Sequence, residues 1–357
     1  SSALFGPVPE LKNYFCCCGI IPGFSQSGGL GLMSAQWIVD GEPEYDMFPW
    51  DLARYGNWAN KAFTKERVRD QYGNRFKIHM PYEERDAGRP LKTRPVYEKQ
   101  KELGCVFGLN YGWEHPLWFA PQGVEPKEDY GFKRQDWWHH VKSECDNLRT
   151  NVGIVDVSNF GKYEVKGQGA SQWVDKIIAN NVPKEIGRSC LTPLIGIRGG
   201  VAGDFTVTKL NDEHFFIVGS GMAERYHIRF FEMIERPNSV DFQSLTEEMC
   251  GFNVAGPKSR TLLSRMTQED LSNENWKFMR SRSITIAGID AIAIRVSFTG
   301  DLGWEVYVKT ENQLKLYEAL LETGADLGVK PVGGRSLLSL RVEKGYGSWG
   351  REYSPEY

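Results

Sequence analysis

No run of apolar residues in this 357-residue sequence reaches the roughly 18 needed to span a bilayer, and its first residues lack the charged, apolar and small-residue order of a secretory leader. Neither sign of charge dominates. Forty-three basic residues against 46 acidic leave a net charge of −3, so no overall positive field draws in nucleic acid or an anionic membrane. The seven cysteines are odd in number and badly spaced for a disulfide framework, three being consecutive at Cys16, Cys17 and Cys18. That triplet reads as small buried residues of a strand within the apolar run Tyr14 to Ile21, because zinc sites need spaced ligands such as CxxC. His139-His140 lacks the HExxH spacing, so surface histidines are expected and no metal is implied. A nucleophile elbow, a Walker-type phosphate loop and a cysteine in a catalytic context are also missing, which removes support for hydrolase and NTPase readings. A reducing intracellular compartment is expected, with small molecules as partners and neither nucleic acid nor membrane.

What is there belongs to a globular protein of two or three domains: 41% hydrophobic and 13% aromatic residues, with 38 Gly and 17 Pro. Asn13 to Ile21 reads as a strand, Pro22 to Gly29 as a glycine-rich turn, and Leu30 to Val39 as a helix carrying Met33 and Trp37 at helical spacing. Such a turn offers backbone N–H groups and a positive helix end, suited to a phosphate or an electron-rich carbonyl. Tight strand-to-helix packing explains the same glycines. From Glu42 to about Gly123 the sequence is rich in aromatics, prolines and charges, with helical stretches at Lys65 to Tyr72 and Val96 to Leu103, and it reads as a connecting domain.

The remainder interleaves helices and strands. A helix carries Trp138, Val141, Cys145 and Leu148; strands follow at Lys162 to Val165, Asp204 to Leu210, His214 to Val218, Ala291 to Ser297 and Trp304 to Val308. Helices are expected at Ala170 to Ala179 and Gly221 to Glu235, and Thr310 with Gln313 forms a capping box for another through Leu321. The pattern predicts an α+β fold.

Two carboxylates stand out. Asp204 follows the turn Gly199-Gly200-Val201-Ala202-Gly203 at the head of an apolar strand, where desolvation would let it trade protons with an amine; a turn-capping aspartate is the structural alternative. Glu305 lies inside an apolar strand and needs a partner, either a heterocycle with adjacent N–H donors such as a pterin edge or an ion pair with Arg295 or Arg341.

Taken in order, Asn151 to Lys162, the Gly-Gly-x-x-x-Asp ending at Asp204, Val254-Ala255-Gly256-Pro257, Gly300 to Glu305 and Ser339 to Gly345 resemble the glycine-cleavage T-protein (aminomethyltransferase) family. Gly88-Arg89-Pro90 and Gly112 to Phe119 resemble the central domain of dimethylglycine and sarcosine dehydrogenases, in which a flavin domain is fused to a T-protein-like half. The resemblance implies three parts: 1–41, the tail of an FAD domain; 42–123, the connecting domain; and 124–357, a folate-binding aminomethyltransferase-like domain. It places the nucleotide-binding fingerprint upstream of Ser1 and the closing barrel beyond Tyr357, which makes the chain an internal portion of a longer enzyme.

The implied cofactors are tetrahydrofolate and, in the full-length enzyme, FAD, with Ser27, Gly28 and Gly29 facing the flavin. Asp204 matches the acid of the one-carbon chemistry and Glu305 the carboxylate that grips the pterin. Phe298 stands where relatives usually carry Tyr, and Arg341 matches a helix arginine that holds Glu305 or the folate tail. The implied reaction is oxidative demethylation of dimethylglycine or sarcosine with transfer of the carbon to tetrahydrofolate, in a bacterial cytoplasm or a mitochondrial matrix, the full-length enzyme's electrons going to oxygen or to an electron-acceptor protein. A stand-alone aminomethyltransferase working with a separate flavin protein and a non-catalytic folate-binding fragment are the alternatives.

Overall fold

The computed structural model describes residues 3–21 and 23–356. Strands β1 (Leu4–Pro7) and β2 (Phe15–Cys18) pair antiparallel, and α1 (Gly23–Asp40) follows. After two short 3-10 turns come α2 (Lys61–Gly73), capped by the Asn60 side chain accepting from Phe63 N–H at 3.0 Å, and α3 (Tyr97–Glu102). The aromatic-rich stretch beyond is a hairpin, β3 (Cys105–Asn110) and β4 (Trp113–Phe119). Its two-residue turn puts Tyr111 at φ 51° and Gly112 at φ 81°, the left-handed pair that matches strand twist.

Then α4 (Trp137–Thr150) leads into β5 (Val152–Asp156), β6 (Gly161–Lys166), α5 (Ala170–Ile177), β7 (Ser189–Ile195), β8 (Val201–Asn211) and β9 (His214–Gly219). Next come α6 (Glu224–Met233), β10 (Asp241–Ser244), β11 (Met249–Ala255), α7 (Ser259–Ser264) and β12 (Ser281–Ile286). The last elements are β13 (Ile289–Ile294), β14 (Gly303–Lys309), α8 (Gln313–Thr323), β15 (Val329–Val332) and α9 (Gly334–Glu343).

Two sheets organise the molecule. One is antiparallel, in the order β10-β6-β9-β8-β7; the other runs β12-β13-β14-β11-β5-β15, with only β15 parallel to its neighbour β5. Period-2 alternation divides the cores. Trp304, Val306 and Val308 of β14 point into a core shared with Leu316 and Leu320 of α8, whereas Tyr307 points the other way into a layer with Phe216 of β9, Val141 and Leu148 of α4, and Leu340 of α9. The hairpin residues Val106, Leu117 and Trp118 pack into this second layer. A third core lies beneath the five-stranded sheet, around Tyr163, Phe205, Trp173 and Phe231.

Four expectations need correcting. The helix predicted from Leu30 begins at Gly23, so Ser27, Gly28 and Gly29 are helical rather than a turn; Pro22 lies outside the described residues. Cys16 is only half-buried, and Cys17 and Cys18 are exposed, because no second layer among the described residues covers that end of the two-stranded ribbon. His140 is half-buried, stacked on Trp118 with ring centroids 5.2 Å apart. No capping box forms: a 3-10 turn at Thr310–Asn312 precedes α8, and the buried Gln313 amide accepts from Val96 N–H and donates to Ser158 Oγ at 2.9 Å. Among the described residues, no helix is long and apolar enough to cross a membrane, and no group of His, Cys, Asp and Glu could hold a metal ion.

Candidate functional site

Asp204 lies near the start of β8, between Gly203 and Phe205, both buried, and opposite Pro193 of β7. It is half-buried. Loss of water pushes its carboxyl above the ordinary aspartate range, opposed by the backbone N–H of Trp349, which donates to Oδ2 at 3.3 Å. Trp349 is itself fixed: its indole N–H donates to Val201 O at 2.9 Å, and its ring packs on Phe48 and Tyr226 at centroid distances of 4.8 and 5.4 Å.

Glu305 occupies the middle of β14, in register with Ile294 of β13 and Asn253 of β11. It is 6% exposed, and its carboxyl is pushed up to about 7 by burial, with a hydrogen bond from Tyr307 opposing the shift. Tyr307 Oη donates to Oε2 at 2.6 Å, and Oε1 has no partner among the described residues. Both arginines considered as ion-pair partners are engaged elsewhere. Arg295 donates to Trp276 O and Asn273 Oδ1, while Arg341 Nη1 donates to Glu352 Oε2 at 2.6 Å and to Tyr346 O at 2.8 Å. A buried carboxylate with no cation beside it is expensive unless donors arrive from outside.

Phe298, in the loop between β13 and β14, stacks on Tyr346 with centroids 6.2 Å apart and an interplanar angle of 20°. Asn253 anchors this loop: its Oδ1 accepts from Ser297 Oγ at 3.0 Å and its Nδ2 donates to Val296 O at 3.2 Å. A continuous run of contacts therefore leads from Glu305 through Asn253 and Ser297 to Phe298, Tyr346 and Arg341. The chain after Tyr346 then reaches Asp204 through Trp349.

Ser27, Gly28 and Gly29 stand apart from this run. They are exposed on α1, Ser27 Oγ donates to Phe24 O at 3.1 Å, and a Cβ at either glycine would meet nothing within 4 Å. A helix leaves only its first four N–H groups unbonded, so from Gly23 onward the amides of 27–29 fall within the ladder. They do not fit as amide donors to a flavin.

Tyr307, Asn253, Tyr346 and Trp349 escaped the sequence reading. Tyr307 had a signal, since a residue two positions after Glu305 on a strand shares its face. Asn253 needs the β11–β14 register, and Trp349 needs the path of the last segment.

A folate's aminopyrimidine edge presents adjacent N–H donors, and Glu305, whose Oε1 has no partner among the described residues, is an acceptor of matching chemistry. Comparison with known proteins bears on the same region. The family described as the FAD dependent oxidoreductase central domain matches residues 40–93, and that described as the GCVT N-terminal domain matches 96–357. Mitochondrial dimethylglycine dehydrogenase of Rattus norvegicus is 34% identical over 351 residues, covering 98% of this chain and 41% of that protein. The 4-methylaminobutanoate oxidase (formaldehyde-forming) of Paenarthrobacter nicotinovorans is 31% identical, covering 98% and 43%. The chain thus spans about two fifths of the length of these relatives. Among solved structures, glycine cleavage system aminomethyltransferase T from Bartonella henselae superposes with a TM-score of 0.62 at 24% identity, over 74% of this chain and 66% of that one, which shows a shared fold. With residues 96–357 matched and the T-protein fold present, the chain belongs to the GCVT N-terminal domain family.

Proposed function

We propose that this chain is the folate-binding part of a flavin-dependent dehydrogenase that oxidatively demethylates dimethylglycine or sarcosine and hands the one-carbon unit to tetrahydrofolate, giving 5,10-methylenetetrahydrofolate. The observation that carries the reading is the buried Glu305 carboxyl, paired with no cation and holding one oxygen without a partner among the described residues. When bound, tetrahydrofolate supplies the nitrogens that accept the carbon. FAD belongs to the full-length enzyme, and no residue of α1 is assigned to it. The full-length enzyme works in a bacterial cytoplasm or a mitochondrial matrix and passes electrons to oxygen or to an acceptor protein.

Within this chain, Glu305 Oε1 accepts the ligand's N–H edge and fixes its orientation. Phe298 and Tyr346 provide an aromatic wall, and Arg341 holds the segment bearing Tyr346 in place. Asp204, held at Oδ2 by Trp349 N–H, exchanges a proton with the amine nitrogen. Its raised affinity for protons, caused by loss of water, suits that exchange.

Calorimetric titration at pH 8 with 5-formyltetrahydrofolate tests the reading. Glu305→Gln keeps the shape but loses a charge-assisted pair, costing about 1.5 to 3 kcal/mol, or roughly ten- to a hundred-fold in affinity. Asp204→Asn leaves affinity within about three-fold while stopping methylene transfer in the full-length enzyme. Equal, negligible losses in both variants would overturn it.

A further inference from the structure

We infer that Tyr307 is a positioning residue of the folate site, fixing Oε2 of Glu305 so that Oε1 turns toward the ligand's N–H donors. The inference rests on the folate reading above and adds the group that orients its carboxylate. Tyr307 and Glu305 leave the same face of β14, and the phenol donates to Oε2 at 2.6 Å. Phe216, from the facing sheet, packs edge-to-face on the Tyr307 ring with centroids 5.3 Å apart. On β11, Gly251 stands in register with Tyr307, and a Cβ there would lie 2.6 Å from the ring. The phenol is clamped between the two sheets, and its hydroxyl is aimed by that clamp rather than by a flexible stem.

Among the described residues, no charged side chain competes for Glu305. Asn253 from β11 is engaged with Ser297 and Val296, Ile294 from β13 is apolar, Phe216 from β9 backs the phenol, and Arg295 and Arg341 are held by other acceptors. Tyr307 is therefore the group that favours the ionised carboxyl, against a burial that leaves it near 7. A ligand edge made of N–H donors takes the carboxylate form. Below that value its binding expels one proton, and the tyrosine hydroxyl sets where the expulsion begins. Removing the hydroxyl disfavours the charged form, raises the titration midpoint and demands a higher pH for the same affinity.

The test titrates wild type, Tyr307→Phe and Gly251→Ala with 5-formyltetrahydrofolate across roughly pH 5.5 to 9, and follows the Glu305 carboxyl by 13C NMR in the ligand-free chain, its signal assigned by loss in Glu305→Gln. Wild-type affinity is expected to rise about tenfold per pH unit below the midpoint and to level off above it. Tyr307→Phe raises the midpoint by about one unit in both the ligand-free and the binding titrations, lowering affinity about fivefold at pH 7 and about tenfold well below it. Gly251→Ala, which displaces the ring without removing the hydroxyl, moves both in the same direction, and Glu305→Gln binds independently of pH. A ligand-free midpoint that stays put in Tyr307→Phe overturns the positioning role whatever the chain binds. A midpoint that moves as expected in a chain that takes up no folate at any pH overturns the folate reading, and the ligand-orienting role with it.

Discussion

The backbone N–H of Trp349 reaches Oδ2 of Asp204 across 3.3 Å, while the indole N–H of the same residue donates to Val201 O on the strand that carries Asp204. One residue of the last segment thus grips the proposed acid at its side chain and at its strand. Trp349→Phe keeps the ring contacts and the backbone donor, so it should cost only the indole bond, about 0.5 to 1.5 kcal/mol. Trp349→Ala also opens a cavity against Phe48 and Tyr226 and should cost about 3 to 5 kcal/mol. Urea denaturation of both variants separates the two; equal losses would show that the ring packing contributes little.

Glu305 makes stability depend on pH in a direction that can be worked out. The folded state keeps its proton up to about pH 7, whereas the unfolded chain releases it near the ordinary glutamate value. The folded carboxyl has the higher affinity for protons, so its contribution is complete below about pH 4.3 and is lost as pH rises through 7. Glu305→Gln cannot ionise and should gain on the order of 3 kcal/mol over wild type at pH 8, with no gain at acid pH. Denaturant melts at the two pH values check this, and a loss of stability at pH 8 would mean that the ionised carboxylate is well paired in the folded chain.

Phe298→Tyr should tighten binding of 5-formyltetrahydrofolate by about 0.5 to 1.5 kcal/mol, the net worth of one hydroxyl hydrogen bond. The substitution keeps the stacking on Tyr346 and adds a hydroxyl to the half-buried ring. Unchanged or weaker binding would indicate a pocket already built around the phenyl ring.

The helical state of residues 27–29 predicts the response to alanine. Gly28→Ala and Gly29→Ala sit on an exposed helix where a new Cβ meets nothing, so each should stabilise the chain by about 0.5 to 1 kcal/mol. A glycine turn needing left-handed backbone would instead be weakened. The purified chain should also carry no visible flavin absorbance, since the amides of 27–29 are spent within α1. Stoichiometric yellow colour would contradict that assignment.

Local patterning alone determined much of this protein. The alternation through Trp304 to Val308, the helical spacing of Val141, Cys145 and Leu148, and the placement of Asp204 behind a glycine turn all act over a few residues, where strand and helix periods are written directly into side-chain order. Sequence also flagged Glu305 as a carboxylate in need of a partner. Its one side-chain partner, Tyr307, lies two positions along the same strand, but the lack of a cation was decided by tertiary structure, because Asn253 and Ile294 meet Glu305 through strand register and the engagement of Arg341 with Glu352 depends on how the last segment turns back. The same holds for Trp349 on Asp204, which no spacing rule reaches. Exposure of Cys17 and Cys18 was likewise beyond the sequence: an apolar strand is buried only if a second layer covers it, and whether one does is a property of the whole fold.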